Sequence, residues 1–265
     1  MAILPHWQVH PGRGPHLLLV HGFLSSSSQW MLNIDALRAV CTPVTVELFG
    51  HARSPSPTEP NCYTPDYYVD CFEAIRTALG VDRWFVLGYS LGAGLTLRYA
   101  LEYPQRVFGH LFTNSTSGLA DVAQQDAWRA SSIDSAEKIL AGGRSAMVRI
   151  PVHPHHARTL PDEVQAALLA DAELHDPGGI ALTMRITTPD VSMRERLAGN
   201  TRPACLIWGQ KERRFAPHAA FAESHMPALT IVPLDAGHGM NMEAPEPFNR
   251  AVIEFIEQCP TSSTP

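Results

Sequence analysis

Charge is scarce in this sequence. Asp, Glu, Lys and Arg make up 17% of its 265 residues, and a formal net charge of -6 leaves no basic excess to hold a phosphate backbone or an anionic membrane. Nucleic acid is therefore not an expected partner. Long apolar runs are missing too: no stretch reaches the roughly 18 residues that a membrane span requires. The first residues carry His6, Gln8 and His10 where an export signal needs an unbroken apolar stretch behind a basic start. Cysteine is sparse and unpatterned. Cys41, Cys62, Cys71, Cys205 and Cys259 form no C-x-x-C pair of a zinc or redox site, and an odd number cannot all pair off. These absences predict a soluble, cytoplasmic chain with free thiols.

Apolar residues, at 45%, supply enough material for a sizeable core. Short apolar runs stand at His16–Val20, Val44–Leu48, Trp84–Leu87, Val107–Phe112, Ala204–Trp208 and Leu229–Leu234. Between them lie candidate helices at Gln29–Val40, Pro65–Leu79, Leu91–Glu102, Pro217–His225 and Glu246–Glu257. That alternation predicts an α/β fold, a doubly wound and mostly parallel sheet covered on both faces. From Gly118 to Arg196 the rhythm fails: the segment is rich in alanine and charge, helical in pattern, and lacks a strong strand-like run. An insertion there would sit over the carboxyl ends of the strands, where open α/β sheets place their ligands. The expected organisation is a core of residues 1–117 and 197–260, a helical cap of 118–196, and a disordered tail of 261–265. The serine run Ser25–Ser28 reads as a loop.

Chemistry concentrates where strand-like Trp84–Leu87 meets Gly88-Tyr89-Ser90-Leu91-Gly92 and a helix pattern begins. A serine on such a sharp turn is held in a strained conformation with its hydroxyl above the sheet, and glycines two positions either side remove colliding side chains. Ser90 is the candidate nucleophile. It needs a base, and His238, in Asp235-Ala236-Gly237-His238-Gly239-Met240 after Leu229–Leu234, is the only histidine so placed. The order serine, acid, histidine points to the loop after Ala204–Trp208, where Glu212 is the candidate acid. Asp235 ranks lower because the loop would have to fold back. A tetrahedral oxyanion needs two fixed donors, expected from the backbone N–H groups of Leu91 and of Phe23 in His21-Gly22-Phe23-Leu24. His21 reads as a brace for that loop. Trp30, Tyr89 and Met240 are candidate pocket residues. His153, His155 and His156, set among Pro151 and Pro154, read as an exposed turn without a metal.

Together these residues resemble the α/β-hydrolase superfamily over nearly the whole chain, through His21-Gly22-Phe23, Gly50-His51-Ala52-Arg53-Ser54, Gly88 to Gly92, Gly209 to Glu212, and Gly237-His238 with Glu243-Ala244-Pro245. Two departures stand out: the family commonly has Gly-His-Gly-x-Ser at the second motif and aspartate where this chain has Glu212. Some members draw the acid from the region after the strand Val107–Phe112, so the resemblance implies Asp121 as the backup to Glu212. The chain is also partly similar to the menaquinone-pathway synthases, which catalyse an elimination, and to the carboxylesterase branch. The synthase resemblance implies an arginine just after the nucleophile motif; here Ala93, Gly94 and Leu95 stand there, with Arg98 a turn further. Carbon–carbon bond hydrolases of the family usually follow the histidine with tryptophan, whereas Gly239 follows here. Dehalogenases and epoxide hydrolases attack with aspartate, which Ser90 excludes.

The expectation is a serine hydrolase that cleaves esters of small to medium size through an acyl-enzyme on Ser90, without metal or organic cofactor. Two alternatives use the same fold: a lyase or carbon–carbon hydrolase built on the same Ser/His pair, and a non-catalytic ligand sensor. Nothing in the sequence sets an oligomeric state.

Overall fold

In the computed structural model, residues 3–261 are described, so that residues 262–265 of the expected tail lie outside the described residues. Among the described residues seven strands form one sheet in the order β1-β3-β2-β4-β5-β6-β7. They are β1 (Trp7–Val9), β2 (His16–Val20), β3 (Thr42–Val46), β4 (Trp84–Gly88), β5 (Val107–Thr113), β6 (Ala204–Gly209) and β7 (Leu229–Leu234). Only β1 runs antiparallel, pairing with β3; every other pairing is parallel. The order turns outward on both sides from the β2–β4 pair, which places the ends of those two strands at the topological switch point.

Strand side chains alternate between two apolar layers, as a pleat dictates. Leu17, Leu19, Phe85, Leu87, Cys205 and Ile207 pack on one face with Trp30, Phe248 and Val252. Leu18, Val20, Trp84 and Val86 pack on the other with Phe72 and Leu95. Both faces are covered by helix, which is why the strands read as unbroken apolar runs rather than as alternation.

The structure moves some of the expected boundaries. Strand β3 starts at Thr42, two residues early, and β1 had no apolar run to announce it, being three residues at an edge. The expected helix Gln29–Val40 is instead a 3-10 turn, Ser27–Trp30, and one short helix, Ile34–Leu37. Ser26 caps the former through its hydroxyl, and the side chain of Asn33 turns away to hydrogen-bond the Asn241 carbonyl and Asn249.

Between β5 and β6 the chain contributes helices and turns with no strand among the described residues. Helix Val122–Met147 breaks at Gly143, whose φ of 56° is left-handed, and is followed by helices Asp162–Ala172 and Pro177–Leu182. This insertion packs on the core through Val164 and Leu168, which join the layer containing Trp30.

Candidate active site

Strand β4 ends in a backbone kink. Ser90 adopts φ 52° and ψ −115°, a left-handed conformation costly for a residue with a Cβ, immediately before helix Leu91–Glu102. The kink is held from β5: Thr113 Oγ1 accepts the Ser90 N–H at 3.2 Å, and the Ser115 hydroxyl donates to the Ser90 carbonyl at 2.6 Å. A Cβ on Gly88 would collide with the Thr96 hydroxyl and the Gly92 carbonyl, and one on Gly92 with the Val20 and His21 carbonyls at the end of β2, so both positions demand glycine.

The structure brings the three candidate side chains into one relay. The Ser90 hydroxyl donates to His238 Nε2 at 3.0 Å, and His238 Nδ1–H donates to Glu212 Oε2 at 2.7 Å. Tyr89 packs its ring edge-on to the imidazole, with centroids 5.3 Å apart. The loop that carries Glu212 is short because β6 ends at Gly209 and Phe215, six residues later, is buried. Burial works to raise the Glu212 pKa, but the hydrogen bond and charge of His238, the Asn114 amide and the Arg214 guanidinium together hold it below the usual glutamate value.

Asp121 does not reach this relay. Its carboxylate caps helix Val122–Met147 by accepting the Gln124 N–H at 2.8 Å in a reciprocal capping box, a use that satisfies its charge where it stands. Asp235 is exposed and pairs with Lys211 at 3.2 Å. The residue near the end of β5 that does touch Glu212 is Asn114. It donates to Glu212 Oε2 at 2.9 Å and clamps Gly209 in both directions, at 3.0 Å to its carbonyl and 3.0 Å from its N–H. A search for carboxylates passes over this amide; its one sequence signal is its place directly after a buried strand.

The loop after β2 lies against Ser90. A Cβ on Gly22 would sit 2.9 Å from the Tyr89 ring and 3.1 Å from the Ser90 Cβ, so glycine permits the approach. Among the described residues neither the Phe23 N–H nor the Leu91 N–H has an acceptor. His21 braces this loop, with Nδ1 bonded to the Gly22 carbonyl at 2.7 Å and Nε2 accepting the Leu48 N–H at 3.0 Å. His51 likewise accepts the Leu24 N–H, at 3.1 Å, and His175 accepts that of Ala52, at 2.9 Å. The three rings follow one another at centroid spacings of 5.2 Å. Burial pushes all three pKa values down, that of His175 to about 4.

A cavity of about 600 Å³ opens over Ser90 and His238. Phe23, Tyr89 and Leu91 line it from the core, and Trp128, Ile150, Leu160, Leu168 and Met184 line it from the insertion. Trp30 and Met240, expected there, do not line it. Both are fully buried in the layer beneath, with Trp30 against Phe248 and the Met240 methyl group over Gly209; Met242 takes the lining place. His153 is buried rather than exposed, because Pro154–His156 forms a 3-10 turn that folds it under. Arg98 faces away, paired with Asp66 at 2.5 Å and Glu102 at 3.3 Å. Arg214 is the one arginine or lysine that lines the cavity among the described residues, and it is engaged with Glu212 at 3.4 Å. No three His, Cys, Asp or Glu side chains among the described residues are grouped so as to hold a metal ion. No helix among the described residues is long and apolar enough to cross a membrane.

Three known proteins set this geometry in context. A Bacillus subtilis protein provisionally named a 2-succinyl-6-hydroxy-2,4-cyclohexadiene-1-carboxylate synthase is 24% identical over 93% of this chain and 92% of its own length. Carboxylesterase YbfK of Bacillus subtilis is 24% identical over 93% of this chain and 81% of its own. The structure of MenH from S. aureus superposes with a TM-score of 0.84 at 19% identity, covering 95% of this chain and 98% of that one. The sequence profile of the alpha/beta hydrolase fold matches residues 15–245, and the chain belongs to that family.

Proposed function

We propose that this chain is a serine hydrolase that cleaves carboxylic esters of small to medium size through an acyl-enzyme on Ser90. His238 takes the Ser90 proton as the oxygen attacks the ester carbonyl, and Glu212 orients the imidazole and stabilises its cationic form. The Phe23 and Leu91 amides receive the negative charge on the carbonyl oxygen. His238 then returns the proton to the leaving alcohol and activates the water that releases the acid. General-base catalysis and oxyanion binding would each contribute about 10²–10³-fold. The insertion of residues 118–196 acts as the cap that shapes the apolar side of the site.

One observation carries this reading: the unbroken relay of 2.7 Å and 3.0 Å from Glu212 through His238 to Ser90, beside two backbone amides with no acceptor among the described residues. A pure binder gains nothing from it, which weighs against the sensor alternative. Likeness to the named synthase favours elimination as the second reading. Against that stands the cavity itself, whose walls are mostly apolar and whose arginine is already held by Glu212. A substrate with several carboxylates would find little to neutralise it. The five buried, free thiols support a reducing, cytoplasmic setting.

The test is hydrolysis of p-nitrophenyl esters from acetyl to long acyl chains by the wild type and by Ser90→Ala. The expected result is turnover of short and medium esters, reduced at least about 10³-fold in the variant. Wild-type turnover by Ser90→Ala would sink the proposal. Labelling of Ser90 by a fluorophosphonate without ester turnover would favour elimination or carbon–carbon cleavage instead.

A further inference from the structure

The serine run Ser25–Ser28 reads from sequence as loop filler, yet nearly every polar atom of its side chains is committed. The Ser26 and Ser28 hydroxyls both donate to Asp171 Oδ2, at 2.6 Å and 2.5 Å, and Asp171 belongs to helix Asp162–Ala172 of the insertion. The Ser27 hydroxyl donates to Glu47 Oε1 at 2.7 Å. Arg53 joins the two carboxylates, with Nη2 at 2.5 Å from Asp171 Oδ1 and Nη1 at 2.6 Å from Glu47 Oε1. The carboxylates are buried, at 0% exposure for Glu47 and 7% for Asp171, while Arg53 is partly open at 43%. A buried charge of this kind is kept only where it is paired and hydrogen-bonded, so the arrangement is geometrically strict.

What the clasp grips is the loop that carries Phe23. Residues 22–29 form a closed unit: the Ser25 N–H returns to the Gly22 carbonyl at 3.3 Å, and Gln29 Oε1 accepts both the Gly22 N–H at 3.2 Å and the Ser25 hydroxyl at 2.9 Å. Within it Leu24 is strained, with φ at 55°. A strained loop keeps its shape only if its surroundings over-determine it. Gln29 ties the loop internally, and Asp171 ties it to the insertion.

We propose that Arg53 and Asp171 are positioning residues for the reaction at Ser90: through Asp171 the cap holds Ser26 and Ser28, and so fixes the Phe23 amide against the nucleophile. The cap then does more than enclose substrate. Only with helix Asp162–Ala172 seated is the oxyanion donor in register, so a cap that shifts lowers the rate even when substrate is bound. Catalytic contact with the substrate remains with the Phe23 amide; Arg53 and Asp171 act through it.

This inference rests on the serine-hydrolase reading above, and the experiment separates the two. The probe is a fluorophosphonate: the Ser90 oxygen–phosphorus bond forms as the phosphorus–fluorine bond breaks, fluoride leaves, the proton passes to His238, and the phosphoryl oxygen occupies the oxyanion position. Labelling rates are compared for the wild type, Asp171→Asn, the double variant Ser26→Ala/Ser28→Ala, and Asp171→Glu, alongside kcat and KM for a short ester. Labelling and kcat should fall about 10–100-fold in the first two variants with KM nearly unchanged, below the loss of a whole oxyanion donor. Asp171→Glu should recover part of the rate. Rates within about threefold of wild type, or a rise in KM at constant kcat, overturn the proposal, since a merely structural cap contact would do only that. If Asp171→Asn does not fold, the serine double variant, which leaves the Arg53–Asp171 pair intact, decides alone. A wild type that labels at Ser90 yet hydrolyses no ester defeats the esterase reading while the labelling rates still judge the clasp. A wild type that does neither overturns both.

Discussion

Glu47 is buried and Glu212 largely so, both held as anions against a desolvation that works to raise their pKa values, yet their partners differ in kind. Glu212 faces the His238 imidazole at 2.7 Å, the group that takes up the Ser90 proton in the proposed reaction. Glu47 faces Arg53 at 2.6 Å, a cation that does not titrate, together with the Ser27 hydroxyl. A carboxylate beside a titratable base becomes stronger or weaker as the proton moves, which is what a reaction coordinate can use. A carboxylate beside a permanent cation is the same before and after, which is what a cross-link needs. The same residue type thus serves movement at the carboxyl end of β6 and rigidity just after β3.

The comparison breaks most visibly at Glu212. Glu212→Gln keeps shape and volume but removes the charge that stabilises protonated His238, and kcat for ester cleavage should fall about 10³-fold, roughly 4 kcal/mol at the transition state. Chemical stability curves in urea should move by less than about 1 kcal/mol, because the amide can still accept from His238. Arg53→Met should weigh chiefly on stability, beside the fall in kcat that the loss of a positioning residue brings. It leaves Glu47 and Asp171 facing each other without their cation. Because Arg53 is partly solvated, the cost should be about 2–3 kcal/mol of unfolding free energy, at the low end for a broken buried pair. Equal stability loss in the two variants would show that the distinction between relay and cross-link is false.

The residues of the relay were legible because each is announced by backbone that only one local arrangement satisfies: glycines around Ser90, a short turn after β6 for Glu212, and Gly237 and Gly239 around His238. Six of the seven strands were legible for a related reason, since burial on both faces leaves an apolar run. Strand β1 was not, because three half-exposed edge residues bury too little to leave a pattern. The clasp was illegible for a physical reason as well. Asp171 stands 143 residues from Ser28 in sequence, and a charge in an alanine-rich helix looks solvated until the fold closes over it. Trp30 and Met240 show the limit of proximity in sequence: neighbours of functional loops, they point down into the core rather than up into the cavity. Asn114 shows the reverse, an amide without sequence signature that the sheet delivers to the acid.

His110 extends the comparison to a buried ionisable group with no hydrogen-bond partner among the described residues. It lies in the middle of β5, fully buried, stacked on Phe112 with neither ring nitrogen hydrogen-bonded, and burial pushes its pKa down to about 3. A folded-state pKa below the unfolded value near 6.5 means that the unfolded chain binds the proton first as pH falls. The stability this group contributes is whole above pH 6.5 and is lost progressively on acidification towards pH 3. Between pH 6.5 and 5 that single residue should account for about 2 kcal/mol of lost stability. Urea unfolding of His110→Leu should show a correspondingly shallower fall over that range, and no loss at pH 7, since the leucine leaves no polar atom unsatisfied. His175, with a pKa near 4, should leave a residual slope of the same sign.

The smallest effect should come from Asn114, where the two kinds of partner can be exchanged by one atom. Its amide nitrogen donates to Glu212 Oε2 at 2.9 Å, and in Asn114→Asp an oxygen would stand there instead. Two carboxylates at that separation cannot both ionise freely, so they would share a proton and the apparent pKa of the pair would rise. Catalysis needs the pair ionised enough to stabilise protonated His238. The acidic limb of the kcat/KM profile should therefore move up by about one pH unit, with a loss of about tenfold below it and recovery above. Asn114→Ala removes a donor without adding a charge, so its limb should move less while its alkaline plateau stays depressed. Superimposable profiles for the wild type and Asn114→Asp would mean that the amide holds the Gly209 loop and nothing more. A shifted limb with a recovered plateau would place Asn114 on the side of the relay, as the residue that keeps Glu212 charged while His238 acts as the base.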